Sequence, residues 1–174
     1  RISYEFPRFA SGAGFVSKVF RNWELSTIVL LKTGTPFTVV SGSDAPGFGN
    51  VDGSRSDRPH ILDPSFLGVA LGHPDDAQKL PRSAFAFIAP HEDRGNLGRN
   101  TFRRDGISNI NAALARTFHI RSEKTLIFRV ESINFFNTPQ FAKPTYELTS
   151  PSFGQITNTL NDGRTFRFLL RLQF

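Results

Sequence analysis

R-T-F-R-F-L-L-R-L-Q-F, at residues 164–174, closes the chain. Phe166, Phe168, Leu170, Leu172 and Phe174 fall on one side of an extended strand, because successive side chains point to opposite faces. Thr165, Arg167, Leu169, Arg171 and Gln173 fall on the other. Period two is broken only by Leu169. The apolar face is continuous, the opposite face carries two Arg, and the last residue is aromatic.

The pattern recurs upstream. In residues 124–136, Leu126, Phe128, Val130 and Ser132 alternate with Ile127, Arg129, Glu131 and Ile133. In residues 108–120, Ile110, Ala112, Leu114, Phe118 and Ile120 share a face, and Asn109, Asn111, Ala113, Thr117 and His119 share the other. Arg116 falls on the apolar side, where its long stem can snorkel. Only residues 121–123 separate these two segments, which predicts a hairpin. In residues 22–32, Trp23, Leu25, Thr27, Val29 and Leu31 face away from Glu24, Ser26, Ile28, Leu30 and Lys32. Gly34 and Pro36 interrupt that strand, and residues 37–40 are expected to resume it past a kink. Ile2, Tyr4 and Phe6 predict the end of a further strand, and residues 15–20 one helical turn. About five strands result.

The connections differ in length. Residues 41–105 and 137–162 are long and rich in Gly, Pro, Asp and Ser, whereas the other connections are shorter. Loops this long are uncommon in compact soluble domains. In an up-and-down meander both would lie at one end, the asymmetry of membrane β-barrels.

Composition narrows the classes. The chain has 174 residues, 21 Lys and Arg against 15 Asp and Glu, and a formal charge of +6. It has no Cys, which excludes disulfides, thiolate catalysis and Cys-based metal sites. No stretch approaches the ~18 apolar residues of a membrane helix, but a membrane strand needs only ~9–11. The basic balance permits nucleic acid or an anionic membrane surface as a partner. A translated chain begins with Met and this one begins with Arg1, so a fragment or processed product is expected, with any signal peptide upstream.

Alternation alone fits two covers for the apolar face: a second sheet, as in a soluble adhesion or carbohydrate-binding module, or lipid. Arg129, Glu131, Arg167 and Arg171 lie midway along strands and would face a wet lumen on the second reading. About five strands cannot close a membrane barrel, whose smallest bacterial examples have ~8. Further strands upstream are then expected.

The stretch N-W-E-L-S-T-I-V-L-L-K-T-G-T-P-F-T-V at residues 22–39 resembles the strand and G-x-P-F step of TonB-dependent outer-membrane receptors of the Oar-like type, which often carry a carboxypeptidase-regulatory-like domain. G-N-L-G-R-N-T-F-R at residues 95–103, F-R-V-E-S-I-N-F-F-N-T-P-Q-F at 128–141, S-P-S-F-G-Q-I at 150–156 and the closing strand are similar to later parts of that family, in the same order. The resemblance implies an all-β fold, an antiparallel up-and-down transmembrane β-barrel segment with residues 41–105 and 137–162 as two long extracellular loops. The whole of residues 1–174 would be the C-terminal part of the barrel domain, in the bacterial outer membrane. It implies a plug, TonB-energised import of a small ligand, and outer-membrane lipid, the TonB complex and the barrel assembly machinery as partners. Phe174 would be the C-terminal assembly signal. No plug or TonB box is matched.

Site candidates are few. Arg167 and Arg171 are placed to meet Glu131 and Arg129 across the last hairpin, as lumen charges whose plain role is wall solubility and register. Arg94, Arg99, Arg103 and Arg104 form the densest basic cluster, without a nucleic-acid motif, so no nucleic-acid partner is expected. His73, Asp75 and Asp76, or Asp44, Asp52 and Asp57, lack metal-binding spacing, and no metal or cofactor is expected. Gly12, Gly14, Gly47 and Gly49 lack a nucleotide-loop context. Neither G-x-S-x-G nor H-E-x-x-H occurs, so an enzyme is not expected.

Overall fold

The structure, a computed structural model, describes residues 1–6, 21–68, 70–71, 80–121 and 124–174. The helical turn expected at residues 15–20, Gly12, Gly14, and the group His73, Asp75 and Asp76 lie outside them. The described strands are β1 (Ile2–Glu5), β2 (Trp23–Lys32), β3 (Pro36–Phe37), β4 (His60–Ile61), β5 (Ala70–Leu71), β6 (Phe85–Ala86), β7 (Phe102–Arg104), β8 (Ile107–Arg121), β9 (Lys124–Ile133) and β10 (Thr165–Gln173). Two compact units contain them, one built from residues 1–31, 108–139 and 162–174, the other from residues 32–107 and 140–161.

The first unit is a five-stranded sheet in the order β1-β2-β8-β9-β10. Its long strands β2, β9 and β10 have 10, 10 and 9 residues, the ~9–11 that cross a bilayer at a tilt. Antiparallel register places Phe166, Phe168, Leu170 and Leu172 opposite Ser132, Val130, Phe128 and Leu126. The β8–β9 register continues this row with Ala112, Leu114, Arg116 and Phe118. Arg167 stands opposite Glu131, which is opposite Ala113 in turn. The two faces read from the sequence are therefore the two faces of the sheet, and Arg116 does lie on the apolar one.

Asn134 ends β9. Its backbone has φ 54°, a left-handed value Asn tolerates. Its buried amide accepts from the Thr138 N–H at 3.0 Å and donates to the Thr138 carbonyl at 3.2 Å, while its own N–H donates to Asn111 Oδ1 at 2.9 Å. Asn137, also left-handed, accepts the Arg164 N–H at 2.9 Å and so positions the start of β10. The I-N-F-F-N-T-P segment is thus a turn specified by two asparagines.

The second unit corrects one expectation. Residues 37–40 do not resume β2: Phe37 enters β3 and pairs with Phe102 of β7. Gly34 allows this, because a Cβ there would collide with the Arg104 backbone carbonyl. The two long connections fold together. The Leu148 N–H donates to the Val40 carbonyl at 2.9 Å and the Val40 N–H to the Tyr146 carbonyl at 3.1 Å, tying residues 140–161 to the first connection. Small sheets β3-β7-β5 and β4-β6 surround a core of Phe37, Val39, Ile61, Leu80, Phe85, Leu97, Phe102, Leu148 and Phe153. Ring centroids run from Phe37 to Phe102 at 5.7 Å, on to Phe85 at 6.0 Å and on to Phe153 at 5.6 Å. Those spacings are favourable for tilted and edge-to-face rings. Phe102 is fully buried, so Phe102→Ala should cost roughly 3–5 kcal/mol of this unit's stability. Hydrogen exchange should show faster amides around Phe85 and Phe153, with β9 and β10 unchanged.

Candidate functional site

The core sits in the second unit; the large sheet has a bare apolar face. Leu31 and Phe168 are each 71% exposed, Leu170 69% and Phe174 92%, with Leu25, Val29, Phe166 and Leu172 also exposed on that face. A contiguous apolar surface of this kind marks a membrane or partner contact, not a solvated wall. Aromatic residues stand at both of its ends. Phe135 and Phe136 form an edge-to-face pair, 5.2 Å between centroids, past the end of β9. Toward the opposite end, the Arg116 guanidinium lies 5.3 Å from the Trp23 ring and 4.6 Å from that of Phe118. Among the described residues no helix is long and apolar enough to cross a membrane, so any crossing is made by strands.

The opposite face carries the charges. Arg129 Nε donates to Glu131 Oε1 at 2.7 Å, an i, i+2 pair along one strand. Arg167 is Glu131's register partner, while Arg171 faces Ile127 and Arg129 faces Leu169. Among the described residues neither Arg167 nor Arg171 forms an ion pair. The cross-hairpin pairs expected from the sequence are therefore replaced by a pair within β9. Residues two apart on one strand also share a face, ~6.5 Å apart, so the long Arg129 side chain reaches Glu131 along β9. A hollow of about 200 Å³ on this face is lined by Ser26, Ile28, Asn111, Ala113, Arg129 and Glu131, among others.

A larger polar hollow, about 580 Å³, lies within the second unit. Ser56, Asp57, Arg58, Glu92, Asp93, Arg94 and Arg99 line it. Gly95, between the two halves of this wall, packs so closely on Pro59 that a Cβ would collide with that residue's backbone. Arg58 Nη1 donates to the Leu97 carbonyl at 3.0 Å. Glu92 Oε2 accepts from the Ala89 N–H at 2.7 Å and from His60 Nε2 at 3.0 Å. The Asn96 N–H donates to His60 Nδ1 at 3.3 Å, which assigns the donor role to Nε2 in the neutral ring. The His60 bond, followed by that from Ala89, holds the Glu92 carboxyl below its ordinary 4.5.

Asp57 behaves oppositely. It is only 7% exposed, and Oδ2 is buried without a hydrogen-bond partner. Burial first, then the charges of Asp52 and Asp44, pushes its carboxyl above its ordinary 3.8. Among the described residues Asp44, Asp52 and Asp57 do not converge as a metal set. Asp44 instead accepts from the backbone N–H groups of Asp52 and Gly53, each at 3.1 Å, as a turn former.

The sequence cluster of four arginines is split. Arg104 is buried and its Nε donates to Thr35 Oγ1 at 2.7 Å, and Arg103 Nη1 donates to the Gly34 carbonyl at 3.2 Å. These two hold β7 against the segment after β2. Arg94 and Arg99 face the hollow. Nothing in the local spacing links them to Asp57 and Arg58, more than thirty positions earlier, so the hollow was invisible without the fold.

A family model described as an outer membrane beta barrel domain matches residues 1–167. The chain belongs to that family. This decides between lipid and a second sheet as the cover for the apolar face: the protein is a strand-built component of the bacterial outer membrane. No curated protein and no solved structure matches the chain.

For an outer-membrane barrel, Phe168→Arg near the middle of β10 should cost about 2–4 kcal/mol of folding free energy in vesicles. Leu169→Arg, on the charged face, should cost far less, as read from urea titrations of the barrel carrying this chain. In the second unit the titration signs oppose. Asp57, raised when folded, stabilises the unit at low pH, and this is lost as pH rises from 3.8 through the folded value. Glu92, lowered when folded, stabilises above 4.5, and this is lost as pH falls through the folded value. Asp57→Asn should therefore raise the unit's unfolding midpoint at pH 7, and Glu92→Gln should lower it, with both differences vanishing under strong acid.

Proposed function

We propose that this chain forms the C-terminal strands of a TonB-dependent outer-membrane receptor of the Oar-like type, whose outer loops capture a small ligand for energised uptake. The observation that carries the reading is the second unit. A wall-building barrel needs only short turns and plain loops, whereas here two connections fold together around one core and the first of them carries a polar hollow. Loops on a rigid scaffold are where binding residues concentrate.

The ordered resemblances support the same reading, and two of their glycines have structural reasons. Gly34 of T-G-T-P-F and Gly95 of G-N-L-G-R-N each sit where another backbone approaches too closely for a side chain. Within the sheet, β1 and β10 are edges. Backbone groups on an open edge find no partner in hydrocarbon, so further strands of the same barrel pair with both. Arg129, Glu131, Arg167 and Arg171 then face the lumen, where plug and ligand pass. Phe174, the aromatic end beyond β10, serves as the signal for barrel assembly, and its end of the sheet is periplasmic. The connections at the other end, residues 41–105 and 137–162, are then extracellular.

The test is uptake by cells expressing the full receptor. Ligand that binds at the surface should accumulate inside only with an intact TonB complex and proton-motive force. Accumulation that persists at the same rate after either is removed would overturn energised uptake and leave a passive barrel.

A further inference from the structure

The hollow in the second unit has a charge pattern that the protein itself leaves incomplete. Among the described residues four of its ionic groups lack a protein partner, three of them exposed (Asp93, Arg94 and Arg99) and one buried (Asp57). Arg94 and Arg99 make no hydrogen bond or ion pair among the described residues, and neither do the carboxylates of Asp57 and Asp93. Two further groups are already committed, Arg58 to the Leu97 carbonyl and Glu92 to His60 and the Ala89 N–H. Cations and anions thus line one space of about 580 Å³ without neutralising each other.

Such an arrangement is expensive for Asp57 in particular. The residue is over nine-tenths buried, and an unbonded buried carboxylate oxygen is a rare feature that needs a reason. Perturbed and unsatisfied groups in a cleft are a signature of binding sites. The Asp57 carbonyl accepts the Ser41 N–H at 2.8 Å, which ties this backbone to the start of the connection. The carboxylate is fixed by its scaffold and not by a partner of its own.

We infer that the hollow binds a zwitterion, an amino acid or short peptide, with the ligand's carboxylate on Arg94 and Arg99 and its ammonium on Asp57 and Asp93. Planar guanidinium groups match carboxylates in a fork. An ammonium brings three donors to the Asp93 carboxylate and to the other Asp57 oxygen, Oδ2 itself being shut away from the hollow. A net-neutral ligand also suits a hollow whose free charges are two of each sign. A purely anionic ligand would leave Asp57 unpaired, and a purely cationic one would leave both arginines so. The inference deepens the receptor reading by giving its ligand a place and a class, and rests on it only for the ligand's route to import.

The experiment uses the full receptor barrel in detergent and an equimolar tripeptide library, with retained species read by native mass spectrometry. The library is offered in free, N-acetylated and C-amidated forms. Free tripeptides should be retained, and either blocking group should weaken retention about tenfold or more, as for loss of a charge-assisted contact. Arg94→Gln with Arg99→Gln should erase the difference between free and amidated forms. Asp57→Asn, or Asp93→Asn as a second variant, should erase the difference between free and acetylated forms. Retention of no free tripeptide, or equal retention of all three forms by the wild type, would overturn the inference. Binding is read here without transport, so a receptor that binds peptides but imports them without TonB would sink the uptake reading and leave this one standing.

Discussion

In hydrocarbon, a backbone N–H or C=O that loses its strand partner finds no water to replace it. That constraint organises the first unit. It explains why the long strands run 9 to 15 residues with register unbroken across β8, β9 and β10 apart from one irregularity near the β8–β9 turn. It also explains why the side chains on the apolar face have no core of their own. Lipid is their solvent, so Phe168 and Leu170 can stand exposed without penalty where a soluble sheet would have to cover them. Polar residues on the other face need no partner either, and the sheet tolerates an exposed Arg171 opposite Ile127.

The second unit obeys the rules of a water-soluble domain. Its stability comes from a phenylalanine chain contributed by segments far apart in sequence, with Phe37 from β3, Phe85 and Phe102 from the first connection and Phe153 from the second. Around that core the strands are only two or three residues long, and side chains such as Asp44, Arg58 and Asn96 do much of the backbone satisfaction. Asp57 Oδ2 and Asn50 Oδ1 are exceptions, buried and unsatisfied, the former on a residue that lines the polar hollow. Local rules are broken most often where a structure is built to bind something.

The large sheet was legible because lipid on one side and water on the other impose period two on every strand. Phe166 to Phe174 and Leu126 to Val130 could be sorted by face from spacing alone, and the register agrees. Even Arg116, an apparent error in the pattern, falls where the alternation puts it. The pairing of charges was not legible, because Glu131 has candidate partners both across the hairpin and two residues away, and side-chain reach rather than register chooses. The second unit was hidden for a different reason. Strands as short as β4 and β6 carry no period, and the contacts that define the core join positions such as Phe85 and Phe153. The Gly34-to-Pro36 step read as a kink because its close approach to the Arg104 backbone is a tertiary fact.

Val40 and Glu147 bridge roughly a hundred positions along the chain, with the whole β8–β9 hairpin between them. Contacts of that separation form slowly, because chain entropy must be given up before any of them rewards it. The hairpin is local and brings residues 107 and 133 to the same end of the sheet, which shortens the effective loop that the bridge has to close. Chain topology therefore favours the local hairpin before the long-range bridge, and a chain stalled at the hairpin would display two unjoined connections to its surroundings.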